Sequence, residues 1–167
     1  HLNTTSGKMS KSTGEFLTVS VLEEKGYSPL VYRLFCLQSH YRKSLVFSWE
    51  GLDGTKTAYN KLIAKIAQLN PDDGETDSAK FDELKYKFTS AMDNDLNTSL
   101  AITALYDVLK AQTNGKTKLA LIADFDKVLS LSLIEEAAKL RKANEEAAKA
   151  RYEHLLKLKD LYAPDAE

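Results

Sequence analysis

The residues with the clearest capacity for chemistry form a short run near the start of the sequence. They are Lys8, Met9, Ser10, Lys11 and Ser12. The run places two ammonium groups three residues apart among small hydroxyl side chains, and Gly7 and Gly14 let the backbone change direction on either side. Lysine carries a compact charge on a flexible stem, which suits a negative charge that develops only transiently. Two lysines at this spacing are more often part of a solvated loop, so the surrounding residues must decide between the two interpretations.

The sequence around this run predicts a small mixed module. Its predicted elements are an exposed loop at residues 4–14, a short strand at residues 16–19, and helices at residues 20–25 and 30–39. Gly26 ends the first of these helices, because glycine readily adopts the left-handed conformation of a C-terminal cap. Ser28 and Pro29 supply an N-cap and a first helical residue for the second. We assign residues 1–58 to this module.

From residue 59 onward, apolar residues recur at intervals of three and four, which is the period of a helix. The apolar stripes are Tyr59, Leu62, Ile63, Ile66 and Leu69; Phe81, Leu84, Phe88 and Met92; Ala101, Ala104, Leu105 and Val108; and, in a shorter fourth helix, Leu119, Ile122, Val128 and Leu129. Residues 134–162 contain neither glycine nor proline and favour a last helix. The sequence therefore predicts a mainly α fold, with an antiparallel helix bundle at residues 59–167.

Composition limits the classes of function. An apolar fraction of 43% and a charged fraction of 28% are those of an ordinary soluble globular protein. With 23 basic and 24 acidic residues, binding to nucleic acid would depend on local basic patches. Cys36 is the single cysteine, so an internal disulfide is excluded, and its apolar neighbours predict a buried side chain. No apolar stretch approaches the ~20 residues of a membrane span.

The five-residue run matches the KMSKS signature of the class I aminoacyl-tRNA synthetases at every position. The residues that follow resemble one branch of that class, the cysteinyl-tRNA synthetases. The resembling segments are residues 26–35, Ser-His-Tyr-Arg at 39–42, Leu-Val-Phe-Ser at 45–48, Ala-Met-Asp-Asn-Asp-Leu-Asn-Thr at 91–98, and residues 125–129. The resemblance covers residues 1–131. It departs from the usual pattern at residues 13–15, Thr-Gly-Glu, and extends to the last helix only in composition.

The resemblance implies a function and a set of site residues. In that family the loop binds the ATP phosphates while the amino acid carboxylate attacks the α-phosphate, so Lys11 is the expected chief contact to ATP and Lys8 assists it. The remaining ATP-binding residues implied by the match are Met9, Ser10 and Ser12. The implied reaction is cytoplasmic activation of cysteine with ATP and its transfer to tRNA(Cys), with no obligate protein partner. The bundle is expected to be of the class I anticodon-binding type.

The same resemblance identifies a candidate contact to nucleic acid. In the family, the neighbourhood of residues 40–43 lies beside the inner bend of tRNA. Arg42 and Lys43 are therefore candidates for phosphate contacts. Equally, His40 and Tyr41 could pack the module while the two charges are merely solvated. For the last helix, a solvated charged face is the better prediction than an RNA-binding stripe, because acidic residues are interleaved with the basic ones.

Two parts of the family's active site are absent from this sequence. The His-Ile-Gly-His motif needs two neighbouring histidines, whereas this sequence has only His1, His40 and His154. The family also selects cysteine with a zinc ion held by Cys, His and Glu, and one cysteine with three scattered histidines cannot build that site. We predict no metal site here, and we expect both parts to precede His1 in a longer enzyme. The chain alone is therefore expected to be inactive.

Three other functions remain open at this point. One is a related enzyme that uses the same adenylate chemistry to ligate cysteine to a sugar amine in thiol biosynthesis. Another is a methionyl-type synthetase, which the segment at residues 39–42 disfavours. The third, from a different class, is a stand-alone helical RNA-binding or interaction module that kept the loop as a relic.

Overall fold

The computed structural model describes residues 2–4, 7–8 and 18–162 of the chain. Its strands are β1 (Leu2–Thr4), β2 (Gly7–Lys8) and β3 (Leu45–Phe47). Its helices are α1 (Val19–Glu24), α2 (Pro29–Leu37), α3 (Trp49–Ala67), α4 (Ser78–Asp93), α5 (Thr98–Lys110), α6 (Gly115–Leu129) and α7 (Leu133–Tyr162). A small strand-bearing module thus precedes a helix bundle, which confirms the predicted mainly α fold class.

The strands form a sheet in the order β2-β1-β3. β1 pairs antiparallel with β2, where Asn3 faces Lys8, and parallel with β3, where Thr4 faces Phe47. The predicted loop at residues 4–14 therefore includes strand residues, because β3 supplies a partner that local sequence does not reveal. The predicted strand at residues 16–19 is wrong at Val19, which begins α1 because the Thr18 hydroxyl caps that helix. Residues 16 and 17 lie outside the described part of the chain.

Short polar side chains fix the helix starts. Each accepts a hydrogen bond from a backbone N–H of the first turn, which would otherwise lack a partner. These caps are Ser28 for α2, Ser48 for α3, Asp77 for α4, Asn97 for α5 and Asn114 for α6. The predicted shorter fourth helix is α6, whose 15 residues are fewer than those of α3 and α4 but more than the 13 of α5.

Buried side chains join the helices of the bundle. Phe88 of α4 stacks on Phe125 of α6 with ring centroids 4.1 Å apart. Tyr59 of α3 is buried, as predicted, and its hydroxyl donates to the Leu131 carbonyl at 2.8 Å, which ties α3 to the turn between α6 and α7. The predicted boundary after residue 58 lies inside continuous α3, and the division into two domains stays a prediction.

Two side chains whose residue types favour the core, Trp49 and Cys36, are only partly buried. Trp49, at the first position of α3, is 38% exposed and lies against Tyr27 and Phe47 instead of inside the bundle. Cys36 is half-buried, and burial raises the pKa of its thiol. A protonated thiol packed in this way fits the predicted packing role better than a nucleophilic one.

Helix α7 packs on the bundle along its first turns. Leu133 and Ala137 are buried, and Arg141 donates to the carbonyls of Ala67 and Leu69 at 3.0 and 3.1 Å, which caps the end of α3. Residues 142–159 are exposed throughout, as expected of a solvated face.

The ion pairs of α7 differ from those that the sequence spacing suggests. Glu135 with Lys139 and Glu145 with Lys149 have the favourable i,i+4 spacing. In the structure, Lys139 instead pairs with Glu136 at 2.6 Å and Lys142 pairs with Glu146 at 3.9 Å. All of these side chains are at the surface, so the choice between neighbouring carboxylates costs little.

Among the helices that the structure describes, none is both long and apolar enough to cross a bilayer.

Candidate nucleic-acid interface

The residues predicted to contact nucleic acid lie in the turn between α2 and β3. The Lys43 N–H donates to the His40 carbonyl at 2.8 Å, which closes the turn. The Arg42 N–H donates to His40 Nδ1 at 3.2 Å, so the histidine side chain fixes the turn from within. Both basic side chains are exposed at its outer surface.

A carboxylate from a distant part of the chain faces this turn. Asp95, in the connection between α4 and α5, accepts from the Tyr41 hydroxyl at 2.7 Å and from Arg42 Nη2 at 3.1 Å through Oδ1. Its Oδ2 lies 2.6 Å from Arg42 Nε and 3.8 Å from His40 Nε2. We call His40, Tyr41, Arg42 and Asp95 the Asp95 cluster.

The rings of the cluster hold the guanidinium from a second side. The centre of the Arg42 guanidinium is 5.5 Å from the Tyr41 ring centroid, within the range of a cation–π contact. Arg42 Nε also donates to the Tyr41 hydroxyl at 3.0 Å. His40 stacks on the Tyr41 ring with centroids 4.9 Å apart. The cation therefore has a fixed position although it lies at the surface.

The backbone at Asp95 has an uncommon conformation. Asp95 and Leu96 have φ of +55° and +51°, in the left-handed region that non-glycine residues seldom adopt in succession. Two hydrogen bonds at 3.0 Å maintain the turn, from Leu96 N–H to the Met92 carbonyl and from Asn97 N–H to the Ala91 carbonyl. The conformation ends α4 and places Asp95 opposite the turn of residues 40–43.

The charges of the cluster stabilise each other. The hydrogen bond from the Tyr41 hydroxyl, followed by that from Arg42, lowers the pKa of the Asp95 carboxyl. The same bond to Asp95 raises the pKa of the Arg42 guanidinium. The Arg42 side chain is nevertheless 67% exposed, and within the described part of the chain its Nη1 contacts no acceptor. An oriented cation with free N–H groups is suited to a phosphate.

Lys43 is the less constrained of the two predicted contacts. Its side chain is exposed, and its ammonium has no hydrogen bond or ion pair to any residue that the structure describes. A flexible, unpaired ammonium beside an oriented guanidinium makes a small basic patch on an otherwise charge-balanced chain.

The predicted ATP-binding loop is described only at its first residue. Lys8 ends β2, and its backbone pairs with that of Asn3. Met9, Ser10, Lys11 and Ser12 lie outside the described residues, so their contacts to ATP, and the catalytic roles of Lys8 and Lys11, stay predictions. The base of the loop adjoins β1, whose Asn3 amide donates to the Ser44 hydroxyl at 2.7 Å, directly after Lys43.

No pattern in the sequence indicates that Asp95 lies at this site. Asp95 and Asn97 are both residue types that cap helices, and the structure assigns the α5 cap to Asn97, whose side chain accepts from Leu100 N–H. Asp95 and Arg42 are 53 residues apart in the chain, and no periodicity connects them. Within residues 2–4, 7–8 and 18–162, no three acidic, histidine or cysteine side chains gather as metal ligands would.

The chain is similar in sequence to known proteins. A family model described as the DALR domain matches residues 87–161. The chain is 42% identical over 158 residues to a cysteine–tRNA ligase of Novosphingobium aromaticivorans, with 90% of this chain and 32% of that protein covered. It is 38% identical over 128 residues to cysteine–tRNA ligase 1 of Burkholderia lata, with 77% and 26% covered. A cysteine–tRNA ligase of Brevibacillus brevis is 35% identical over 157 residues, with 81% and 33% covered.

Together, the helix bundle, the DALR match and these identities place the chain in the aminoacyl-tRNA synthetase class. Within that class it belongs to the cysteine–tRNA ligase family, and it corresponds to the C-terminal, helical part of those enzymes. This confirms the family resemblance found in the sequence. The chain spans about a third, or less, of the length of the curated relatives it matches.

Proposed function

We propose that this chain is the tRNA-binding C-terminal part of a cytoplasmic cysteine–tRNA ligase, which activates cysteine with ATP and transfers it to tRNA(Cys). The observation that carries the proposal is the 42% identity over 158 residues to a protein of that name. The alignment covers 90% of the chain, so it includes both the bundle and most of the module before it.

The N-terminal run would supply the cationic part of the active site that faces ATP. Lys11 contacts the ATP phosphates as negative charge develops on them, and Lys8 assists. Met9, Ser10 and Ser12 complete the loop. Support for this comes from the five-residue match to the signature and from the position of Lys8 at the end of β2, where the loop leaves the sheet. The rest of the nucleotide pocket and the zinc site lie elsewhere in the intact enzyme, so this chain alone does not form the adenylate.

The turn of residues 40–43 would bind the tRNA backbone. Arg42 and Lys43 are adjacent cations at the surface, and the Asp95 cluster holds the first of them in place. Phosphate contacts of this kind position the RNA without reading its sequence. The helix bundle, of the class I anticodon-binding type, then binds the far end of the same tRNA.

A direct test is binding of a fluorescently labelled tRNA(Cys) transcript to the chain, measured by anisotropy at increasing salt. We expect weak binding that falls as salt rises, because counterions are released from the phosphates. Arg42→Ala and Lys43→Ala should each weaken binding and each reduce the salt slope by about one unit. Lys61→Ala is the matched control, because Lys61 is an exposed lysine on α3. Equal effects at all three positions would contradict the assignment of the site, and a tight, salt-independent complex would contradict the binding mode.

A further inference from the structure

We propose that Asp95 is a positioning residue for RNA: it holds the Arg42 guanidinium so that the free Nη1 edge meets a backbone phosphate. The inference rests on the proposed function, since it needs an RNA ligand. It adds a residue on the α4–α5 connection that acts only through Arg42 and touches no RNA itself.

The geometry lets Asp95 and a phosphate bind the guanidinium together. Both carboxylate oxygens of Asp95 face one side of the group, with contacts of 2.6 Å to Nε and 3.1 Å to Nη2. A guanidinium has five N–H groups in a planar fork, so a second anion can bind in the same plane at Nη1 and the outer Nη2 hydrogen. The Asp95 contact therefore orients the cation without consuming its capacity for phosphate.

A stabilising role alone explains the cluster poorly. The side chains of Arg42 and Asp95 are 67% and 44% exposed, and an ion pair so accessible to water and salt contributes little to folding. The turn that presents Asp95 also holds Leu96 at φ +51° with 57% of that leucine exposed. The conformational cost is not offset by burying Leu96. Unfavourable backbone geometry of this kind is concentrated at functional sites.

The cluster also uses its aromatic residues for orientation. Tyr41 donates to Asp95 at 2.7 Å and at the same time lies under the guanidinium, with 5.5 Å between the Arg42 carbon and the ring centroid. One tyrosine thus restrains both partners of the ion pair. A mobile surface arginine would lose more side-chain freedom on binding a phosphate than one already held in this way.

The test compares Asp95→Asn, Arg42→Ala and the double variant for tRNA affinity, salt slope and thermal unfolding. Asparagine tolerates a left-handed backbone, so Asp95→Asn removes the charge and keeps the turn. We expect Asp95→Asn to weaken binding roughly twofold to fivefold and to lower the salt slope. In the double variant, Asp95→Asn should add nothing to the loss caused by Arg42→Ala, because Asp95 acts through Arg42.

Each of the remaining outcomes of this test would contradict a different part of the proposal. Tighter binding by Asp95→Asn would mean that Asp95 masks Arg42. A lower unfolding temperature with unchanged affinity and salt slope would mean a structural role only, and additive losses in the double variant would mean that Asp95 acts independently. Asp95→Glu and Tyr41→Phe provide a second comparison if Asp95→Asn unfolds: the glutamate should retain most of the affinity, and the phenylalanine should lose part of it. Failure of the unsubstituted chain to bind tRNA would reject the proposed function instead.

Discussion

The Asn3 side-chain amide donates to the Ser44 hydroxyl at 2.7 Å, across 41 residues of sequence. Asn3 lies on β1 and pairs through its backbone with Lys8, the first residue of the predicted ATP-binding run. Ser44 directly follows the two cations proposed to bind tRNA. The hydrogen bond and the β1–β3 pairing therefore join the start of the predicted ATP-binding run to the strand that follows the proposed RNA-binding turn.

Replacement of Lys11 should slow adenylate formation and leave RNA binding almost unchanged. In a full-length protein that carries this chain, we expect Lys11→Ala to raise the barrier to adenylate formation by about 2–4 kcal/mol, as for removal of one preorganised charge donor. ATP–pyrophosphate exchange measures this step, and tRNA anisotropy should be almost unchanged. Lys25→Ala, an exposed lysine after α1, is the control. An exchange rate equal to that of the unsubstituted enzyme would remove Lys11 from the mechanism.

Gly115 should not accept even a methyl group. A Cβ at this buried position, the first of α6, would overlap the Asn70 carbonyl oxygen and lie 2.8 Å from the Asn70 nitrogen. We expect Gly115→Ala to destabilise the fold by roughly 1–3 kcal/mol, the usual cost of overpacking. Gly54→Ala on α3 is the matched control, since nothing lies within 4 Å of its Cβ and alanine favours a helix by about 1 kcal/mol. The midpoint of urea unfolding should move in opposite directions for the two variants, and parallel shifts would contradict this account of the contact between Asn70 and the start of α6.

The start of α6 should lose stability in acid. Asp73 accepts from the backbone N–H groups of Gly115 at 2.7 Å and Lys116 at 3.0 Å, and these bonds lower the pKa of its carboxyl. Since the folded-state pKa lies below the ordinary value of 3.8, the stabilisation is complete above that value and disappears as the pH falls through the folded-state pKa. The difference in unfolding temperature between the unsubstituted chain and Asp73→Asn should therefore be largest near neutral pH and shrink below pH ~4. A difference independent of pH would show that the charge of Asp73 is not involved.

The Tyr59 hydroxyl should contribute to the contact between α3 and the turn that joins α6 to α7. Its hydrogen bond to the Leu131 carbonyl is buried, and burial is the main cause that raises the pKa of this phenol. Tyr59→Phe keeps the ring packing and leaves that carbonyl without this donor, so we expect a loss of about 1 kcal/mol in the free energy of unfolding. Tyr86→Phe, on an exposed tyrosine of α4, should change it by less than about 0.5 kcal/mol. Chemical denaturation with equal midpoints for the two variants would contradict the assigned role.

The sequence predicted the features that depend on neighbouring residues. Helix starts followed from caps such as Ser28 and Asn97, and the bundle faces followed from apolar spacing, as at Tyr59. The family resemblance predicts that Arg42 and Lys43 contact phosphate, but it does not predict the geometry of their turn. Features that depend on distant pairing were missed, because nothing local marks them.

The clearest of these missed features involve three residues. The residue type of Val19 favours a strand, but Thr18 caps a helix that begins at Val19. The residue type of Trp49 favours the core, but this side chain lies at an exposed helix start. Asp95 reads as a possible cap, whereas its backbone turns it toward Arg42. In each case the tertiary partner, and not the residue type, decides the role.

The attachment of cysteine to tRNA(Cys) is the measurement that tests the central claim most directly. The full-length protein carrying this chain would be incubated with ATP, radiolabelled cysteine and a tRNA(Cys) transcript, and the label attached to the RNA would be counted. We predict ATP-dependent attachment that falls with Arg42→Ala and falls further with Lys11→Ala. Transfer of cysteine to a sugar amine but not to tRNA, or no ATP-dependent attachment by a folded full-length protein, would contradict the account.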